Sequence, residues 1–140
     1  MMKNFGSTFE YERQRNDDLM RAYREELATC AFIKMPELLE KVVNKPSKRF
    51  WVSEERAAIV LSAMMRGDKL KNMRPLKREM FNEIYRRAME LSRQQPGMPV
   101  YQLAFNVVRQ PAPKFYLTPG SAKVIISKIK RQWYQKRKRK

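Results

Sequence analysis

The segment Val42-Val43-Asn44-Lys45-Pro46-Ser47-Lys48-Arg49-Phe50-Trp51-Val52-Ser53 recurs 65 residues further along the chain as Val107-Val108-Arg109-Gln110-Pro111-Ala112-Pro113-Lys114-Phe115-Tyr116-Leu117-Thr118. Val42/Val107, Val43/Val108, Pro46/Pro111 and Phe50/Phe115 are identical, while Arg49/Lys114, Trp51/Tyr116, Val52/Leu117 and Ser53/Thr118 are conservative pairs. The register continues through Ala57/Ala122, Ser62/Ser127 and Arg66/Arg131, with Ile59-Val60-Leu61 opposite Val124-Ile125-Ile126. Upstream, Leu38 falls on Leu103 without a gap, and a three-residue change in loop length places Ala22-Tyr23-Arg24 on Ile84-Tyr85-Arg86. The chain therefore reads as a duplication of one unit of roughly 50 residues, about 16–66 and about 78–131. Chance likeness between two Lys/Arg-rich helices accounts poorly for the shared proline, aromatic pair and hydroxyl.

Each unit reads as three helices. In the second, Phe81, Ile84, Tyr85, Ala88 and Leu91 recur at helical spacing and predict a helix over Lys77–Gln94, which Gln95-Pro96-Gly97-Met98-Pro99 ends. A short helix over Val100–Gln110 follows, with Leu103, Ala104, Val107 and Val108 facing inward, until Pro111-Ala112-Pro113 forbids continuation. Lys114-Phe115-Tyr116-Leu117 reads as an extended connector that tucks its rings against the helices. Thr118-Pro119 then opens the last helix, and Ser53 has the same role in the first unit, followed by Glu54 and Glu55 at the positive helix end. The third helices are expected over Ser53–Arg66 and Thr118–Gln135. The fold class is thus all-α: two tandem three-helix units with a basic C-terminal tail. The expected divisions are an N-terminal arm (1–15), a first unit (16–67), a short basic linker (68–77), a second unit (78–135) and a polybasic tail (136–140).

The chain of 140 residues carries 31 Lys and Arg against 14 Asp and Glu, a formal net charge of +17, distributed unevenly. Residues 1–70 hold 13 basic and 11 acidic side chains, whereas residues 71–140 hold 18 basic and 3 acidic, and no carboxylate occurs from Leu91 to Lys140. A solvated surface ordinarily mixes both signs, so an acid-free stretch of this length implies a densely negative partner, with nucleic acid the leading candidate. The final run of five cations from Lys136 to Lys140 suits sequence-independent contact with a phosphate backbone.

Three helices in which a short second is followed by a basic third resemble the trihelical helix-turn-helix group of DNA-binding domains. The resemblance is one of architecture over residues 78–135, and the eight residues from Pro111 to Thr118 are longer than that motif's usual turn. On the last helix, Ala122, Ile125, Ile126, Ile129 and Trp133 form a core stripe. The opposite side presents Gly120, Lys123, Val124, Ser127, Lys130, Arg131 and Tyr134, with Lys128 on its flank. Small residues let a backbone approach a groove, and long cations reach phosphates or guanine edges. Gly120, Lys123, Val124 and Ser127 are accordingly expected near the groove. Lys114, Lys128, Lys130 and Arg131 are expected on phosphates, with Lys136, Arg137, Lys138, Arg139 and Lys140 adding nonspecific affinity. The corresponding positions of the first unit are Glu55, Ala58, Ala63 and Met65, an acidic and apolar face suited to packing on the second unit, to self-association or to a protein partner rather than to phosphate.

Catalysis finds little support. The chain has no histidine and one cysteine, Cys30, so it offers neither a histidine base nor an internal disulfide nor a Cys/His zinc site. Glu83 and Glu90 are expected to pair with Arg86 and Arg87, and Gly6, Gly67, Gly97 and Gly120 are too isolated for a phosphate loop. No cofactor or metal is expected. No run approaches the ~18 apolar residues of a membrane span, and the first residues lack a signal-peptide core, so the expected compartment is cytoplasmic. The function expected is that of a non-enzymatic, DNA-binding regulator or accessory factor. Two alternatives compete: an RNA- or ribosome-associated protein stacking Phe115, Tyr116, Trp133 and Tyr134 on bases, and an interaction or membrane-surface module using Ile125, Ile129 and Trp133.

Overall fold

A computed structural model describes residues 2–138, with side chains from residue 10 to residue 137. Among the described residues there are six helices and no strand: α1 (Met2–Ala28), α2 (Met35–Val43), α3 (Glu54–Met65), α4 (Pro75–Gln94), α5 (Val100–Val108) and α6 (Pro119–Lys138). The all-α class follows from the sequence periodicity, and the caps follow from its hydroxyls. Ser53 Oγ accepts from the Arg56 amide at 3.0 Å and Thr118 Oγ1 from the Ser121 amide at 3.0 Å. Each satisfies an amide that the first helical turn leaves free, an effect of about 1 kcal/mol. Pro119 occupies the first position of α6, where its missing amide costs nothing.

The elements differ from the sequence expectation at two ends. α1 runs back to Met2, so residues 2–15 continue the first helix rather than forming a separate arm. α6 runs on to Lys138, so the tail begins inside a helix; Arg139 and Lys140 lie outside the described residues. The connector is also less uniform than expected, because Tyr116 adopts φ 58°, in the left-handed region that a bulky side chain enters only when its surroundings hold it there.

The helices also group differently from chain order. Two compact units form: unit 1 from the described parts of residues 1–47 and 117–140, and unit 2 from residues 48–116. In unit 1, α1, α2 and α6 pack against one another, burying Leu19, Ala22 and Tyr23 of α1, Leu38, Leu39, Val42 and Val43 of α2, and Ala122, Ile126 and Ile129 of α6. In unit 2, α3 packs on α5 and α4, and Ala57, Val60 and Leu61 join Met80, Phe81, Ile84, Leu103, Val107 and Val108 in one core. The third helix of each sequence repeat therefore packs with the first two helices of the other. These units cross the boundaries expected at 16–67 and 78–135, and the stretch expected as a linker, 68–77, lies within unit 2.

The connectors explain how the third helix leaves its own repeat. Eight residues without a tight turn span up to about 26 Å when extended. The first connector is fastened in unit 2 by its backbone, the Phe50 amide donating to the Val108 carbonyl at 2.9 Å. Arg49 reinforces it, donating from Nε to the Phe50 carbonyl at 3.1 Å and from Nη2 to the Val52 carbonyl at 2.9 Å. Phe50 is fully buried and stacks on Tyr116, with ring centroids 6.1 Å apart and planes 20° apart. Phe115 is buried as well. The methionines serve mostly as packing: Met80 is buried, Met64 and Met73 lie against the unit 2 core, and Met65 is more open. Cys30 is half-buried in the turn after α1, less enclosed than a core cysteine.

Candidate nucleic-acid interface

α6 owes its placement to an apolar stripe that covers α1 and α2. Ala122, Ile126 and Ile129 are buried and Ile125 is half-buried, while Trp133, expected in the core, is 44% exposed with the Arg24 guanidinium 5.2 Å above its ring. The stripe therefore fades toward the helix end, where a cation covers the indole in place of apolar neighbours.

The opposite side of α6 is open. Gly120, Lys123, Val124, Ser127, Lys128 and Arg131 are all exposed; Lys136 and Arg137 are exposed as well, but at about 100° per residue they stand in line with the apolar stripe, beyond Trp133. Val124 is 68% exposed, a large apolar side chain in the middle of a basic face. No carboxylate occurs on α6, and Lys123, Lys128 and Arg131 have no ion-pair partner among the described residues. Such a face carries an uncompensated positive potential along about three helical turns. A Cβ at Gly120 meets only Thr118 Oγ1, at 4.0 Å, so nothing inside the fold demands glycine there.

Two of the expected cations lie elsewhere. Lys114 belongs to unit 2, where its Nζ is 2.6 Å from Glu79 Oε1 and 5.4 Å from the centre of the Tyr116 ring. Lys130 is turned toward α1: its Nζ donates to the Tyr23 hydroxyl at 2.7 Å and sits 4.5 Å from that ring. Lys130 follows Ile129 at the margin of the buried stripe, within reach of the partner helix. The α6 face thus brings together Gly120, Lys123, Val124, Ser127, Lys128 and Arg131, while Lys136 and Arg137 are exposed on the other side near the helix end. The Lys138 side chain, Arg139 and Lys140 fall outside the described residues.

The grouping of helices alters where charge accumulates. Residues 1–47 hold eight basic and eight acidic side chains, so all of unit 1's excess, nine cations, comes with residues 117–140. Unit 2 is basic in its own right, with 14 cations against 6 carboxylates. Several of these neutralise one another. Arg86 and Arg87 both lie 2.7 Å from Glu83 Oε2, and together they hold the Glu83 carboxyl down at about 2, the hydrogen bond from Arg86 leading. Arg86 also lies 3.7 Å from Glu90. The carboxylates of α4 are therefore engaged in ion pairs, as their spacing predicts.

A second basic feature was missed by the sequence reading, which treated residues 68–77 as a linker. The loop from α3 to α4 encloses an open cavity of about 760 Å³ lined by Arg56, Lys69, Lys71, Arg74 and Lys77, with Asp68 as its one acid. The signal was present in the sequence: Lys69, Lys71, Arg74, Lys77 and Arg78 crowd into ten residues with no acid after Asp68.

Among the described residues no cluster of three or more Cys, His, Asp or Glu side chains forms, and no helix is long and apolar enough to cross a membrane. In comparisons with protein families, curated proteins and solved structures, the chain matches no family model, no curated protein and no solved structure.

Proposed function

We propose that the protein is a non-enzymatic DNA-binding protein that lays the exposed face of α6 against duplex DNA and extends its grip through the polybasic end. The observation that carries this reading is the division of α6 into a buried apolar side and an open side of Lys123, Val124, Ser127, Lys128 and Arg131 without any carboxylate. Anchored through Ala122, Ile126 and Ile129, the helix is held rigidly enough to present that face. Lys123, Val124 and Ser127 meet base edges and the thymine methyl, while Lys128, Arg131, Lys136 and Arg137 meet phosphates. The helix-turn-helix-like arrangement is then completed by α1, α2 and α6, and the chain is a tandem duplication whose halves exchange third helices. Matching caps at Ser53 and Thr118 and buried Phe50 and Phe115 support the duplication. The protein acts in the cytoplasm as a regulator or accessory factor of DNA transactions.

Burial removes two of the four rings of the RNA reading, since Phe115 and Tyr116 are enclosed and cannot stack on bases without unfolding the connector, and leaves Trp133 and Tyr134 exposed. The membrane reading is weakened because Ile129 is buried and Ile125 half-buried in unit 1. Fluorescence anisotropy with a random duplex pool at several salt concentrations tests the proposal, comparing the intact chain with one ending at Tyr134. Salt-sensitive binding that partly survives truncation is expected. Absence of duplex binding by the intact chain overturns the reading.

A further inference from the structure

We infer that the α3–α4 loop of unit 2 is a second phosphate-binding site, a cradle that grips the backbone of a nucleic-acid strand independently of α6. The inference rests on the nucleic-acid reading above and adds to it a binding surface on the other unit. Three observations converge on the cradle. Its cavity is larger than a lone phosphate needs and is lined by five cations, Arg56, Lys69, Lys71, Arg74 and Lys77. All five are exposed. None has an ion-pair partner among the described residues, although the same unit pairs Arg49 and Arg109 with Glu54, Arg86 and Arg87 with Glu83, and Lys114 with Glu79. Unit 2 thus engages several of its cations in ion pairs, while Arg56, Lys69, Lys71, Arg74 and Lys77 gather around one cavity without such a pair.

The cradle is also built rather than merely charged. Leu70 is buried in the unit 2 core at φ 56°, fixing the loop from its middle. Its amide donates to Asp68 Oδ1 at 2.8 Å, which turns the one carboxylate toward the backbone, and the Met73 amide donates to the Leu70 carbonyl at 3.2 Å. Lys69 and Lys71 flank this anchor. The first helical turn of α4 begins at Arg74 without a side-chain cap, so its free amides add positive potential to the same side. The lining offers five long cations and no aromatic ring on which a base could stack, so the cradle meets phosphate oxygens rather than base edges.

The test measures binding of the full-length chain to a duplex of about two helical turns by anisotropy at several salt concentrations. Four proteins are compared: the unaltered chain, a cradle variant (Lys69→Ala, Lys71→Ala, Arg74→Ala), an α6 variant (Lys123→Ala, Lys128→Ala, Arg131→Ala) and a charge control (Lys34→Ala, Lys41→Ala, Arg93→Ala). Circular dichroism confirms that each is folded. The cradle variant is expected to bind at least tenfold more weakly and to flatten the logarithmic salt slope by about 2–3, at roughly 0.9 for each phosphate no longer neutralised, while the control changes neither. If the α6 variant weakens binding and the cradle variant does not, the cradle is overturned and the α6 reading stands. Weakening by the cradle variant alone keeps the cradle and overturns α6. Equal losses in cradle and control variants overturn the cradle as bulk charge, and no binding by the unaltered chain overturns both.

Discussion

Arg87 donates to the carbonyl oxygen of Pro111 at 2.9 Å, fastening the middle of α4 to the second connector. In the other repeat Arg21 donates to the carbonyl of Pro46, the equivalent proline, at 3.1 Å. The two arginines do not align. With the three-residue length change, Arg21 falls on Glu83 and Glu25 on Arg87, so the pair Arg21–Glu25 is reversed as Glu83–Arg87. Either order places a guanidinium over the connector and a carboxylate one turn away to orient it. The conserved quantity is the bond to the proline carbonyl, and two sequences reach it from opposite ends of an ion pair.

Arg87→Ala is expected to destabilise the protein more than a typical surface change, by about 1–3 kcal/mol, because hydrogen bonds from a charged donor are among the stronger ones. The side chain also reaches Gln110 Oε1 at 3.1 Å and lies 4.9 Å from the Phe50 ring centre. Urea denaturation with fixed slope measures the effect, and Arg87→Lys should recover only part of it, lacking the fork.

Acid should act in part through Glu83. Its carboxyl titrates at about 2 in the folded protein against an ordinary value of 4.5. A depressed folded value contributes stability that is present above the unfolded value and lost as pH falls from about 4.5 through about 2. Urea midpoints across that window should fall more steeply for the unaltered protein than for Glu83→Gln. Parallel curves would assign the acid response to other groups.

Alkali tests the buried connector. Burial, with the nearby Glu83 and Glu79 carboxylates, pushes the Tyr116 phenol up to about 12 from 10. A raised phenol value means stability held below the unfolded value and lost as pH rises from about 10 through about 12. Absorbance titration should show a late ionisation component that Tyr116→Phe abolishes.

Gly120→Ala separates fold from function. The added methyl has room and favours helix, so stability should rise by about 0.4–1 kcal/mol. Duplex affinity should nevertheless fall severalfold if the small residue lies, as proposed, where α6 approaches the groove. An alanine variant that binds as tightly as the unaltered chain would remove Gly120 from the interface.

The helices and their buried faces were legible because periodicity and caps are local. The choice of partner was not. Ala57, Val60 and Leu61 make the same inward stripe whether α3 covers its own repeat or the other, and the same holds for Ala122, Ile126 and Ile129 of α6. Only the long connectors hinted at exchange, by failing to supply a tight turn. The open face of α6 was legible from the absence of carboxylates, whereas the diversion of Lys114 to Glu79 and of Lys130 to Tyr23 depends on neighbours brought in by folding.

The grouping of helices also orders events in time. Unit 2 is one continuous stretch, so everything it packs has left the ribosome once Tyr116 has. Unit 1 must wait with α1 and α2 uncovered until α6 is made, and those waiting surfaces include Leu38, Leu39, Val42 and Val43. A nascent chain arrested before α6 therefore exposes a sticky, neutral helical pair, and a separately supplied peptide of residues 117–140 should close it. The helix proposed to meet DNA thereby arrives after both helices that hold it, and no fragment lacking it can present that face.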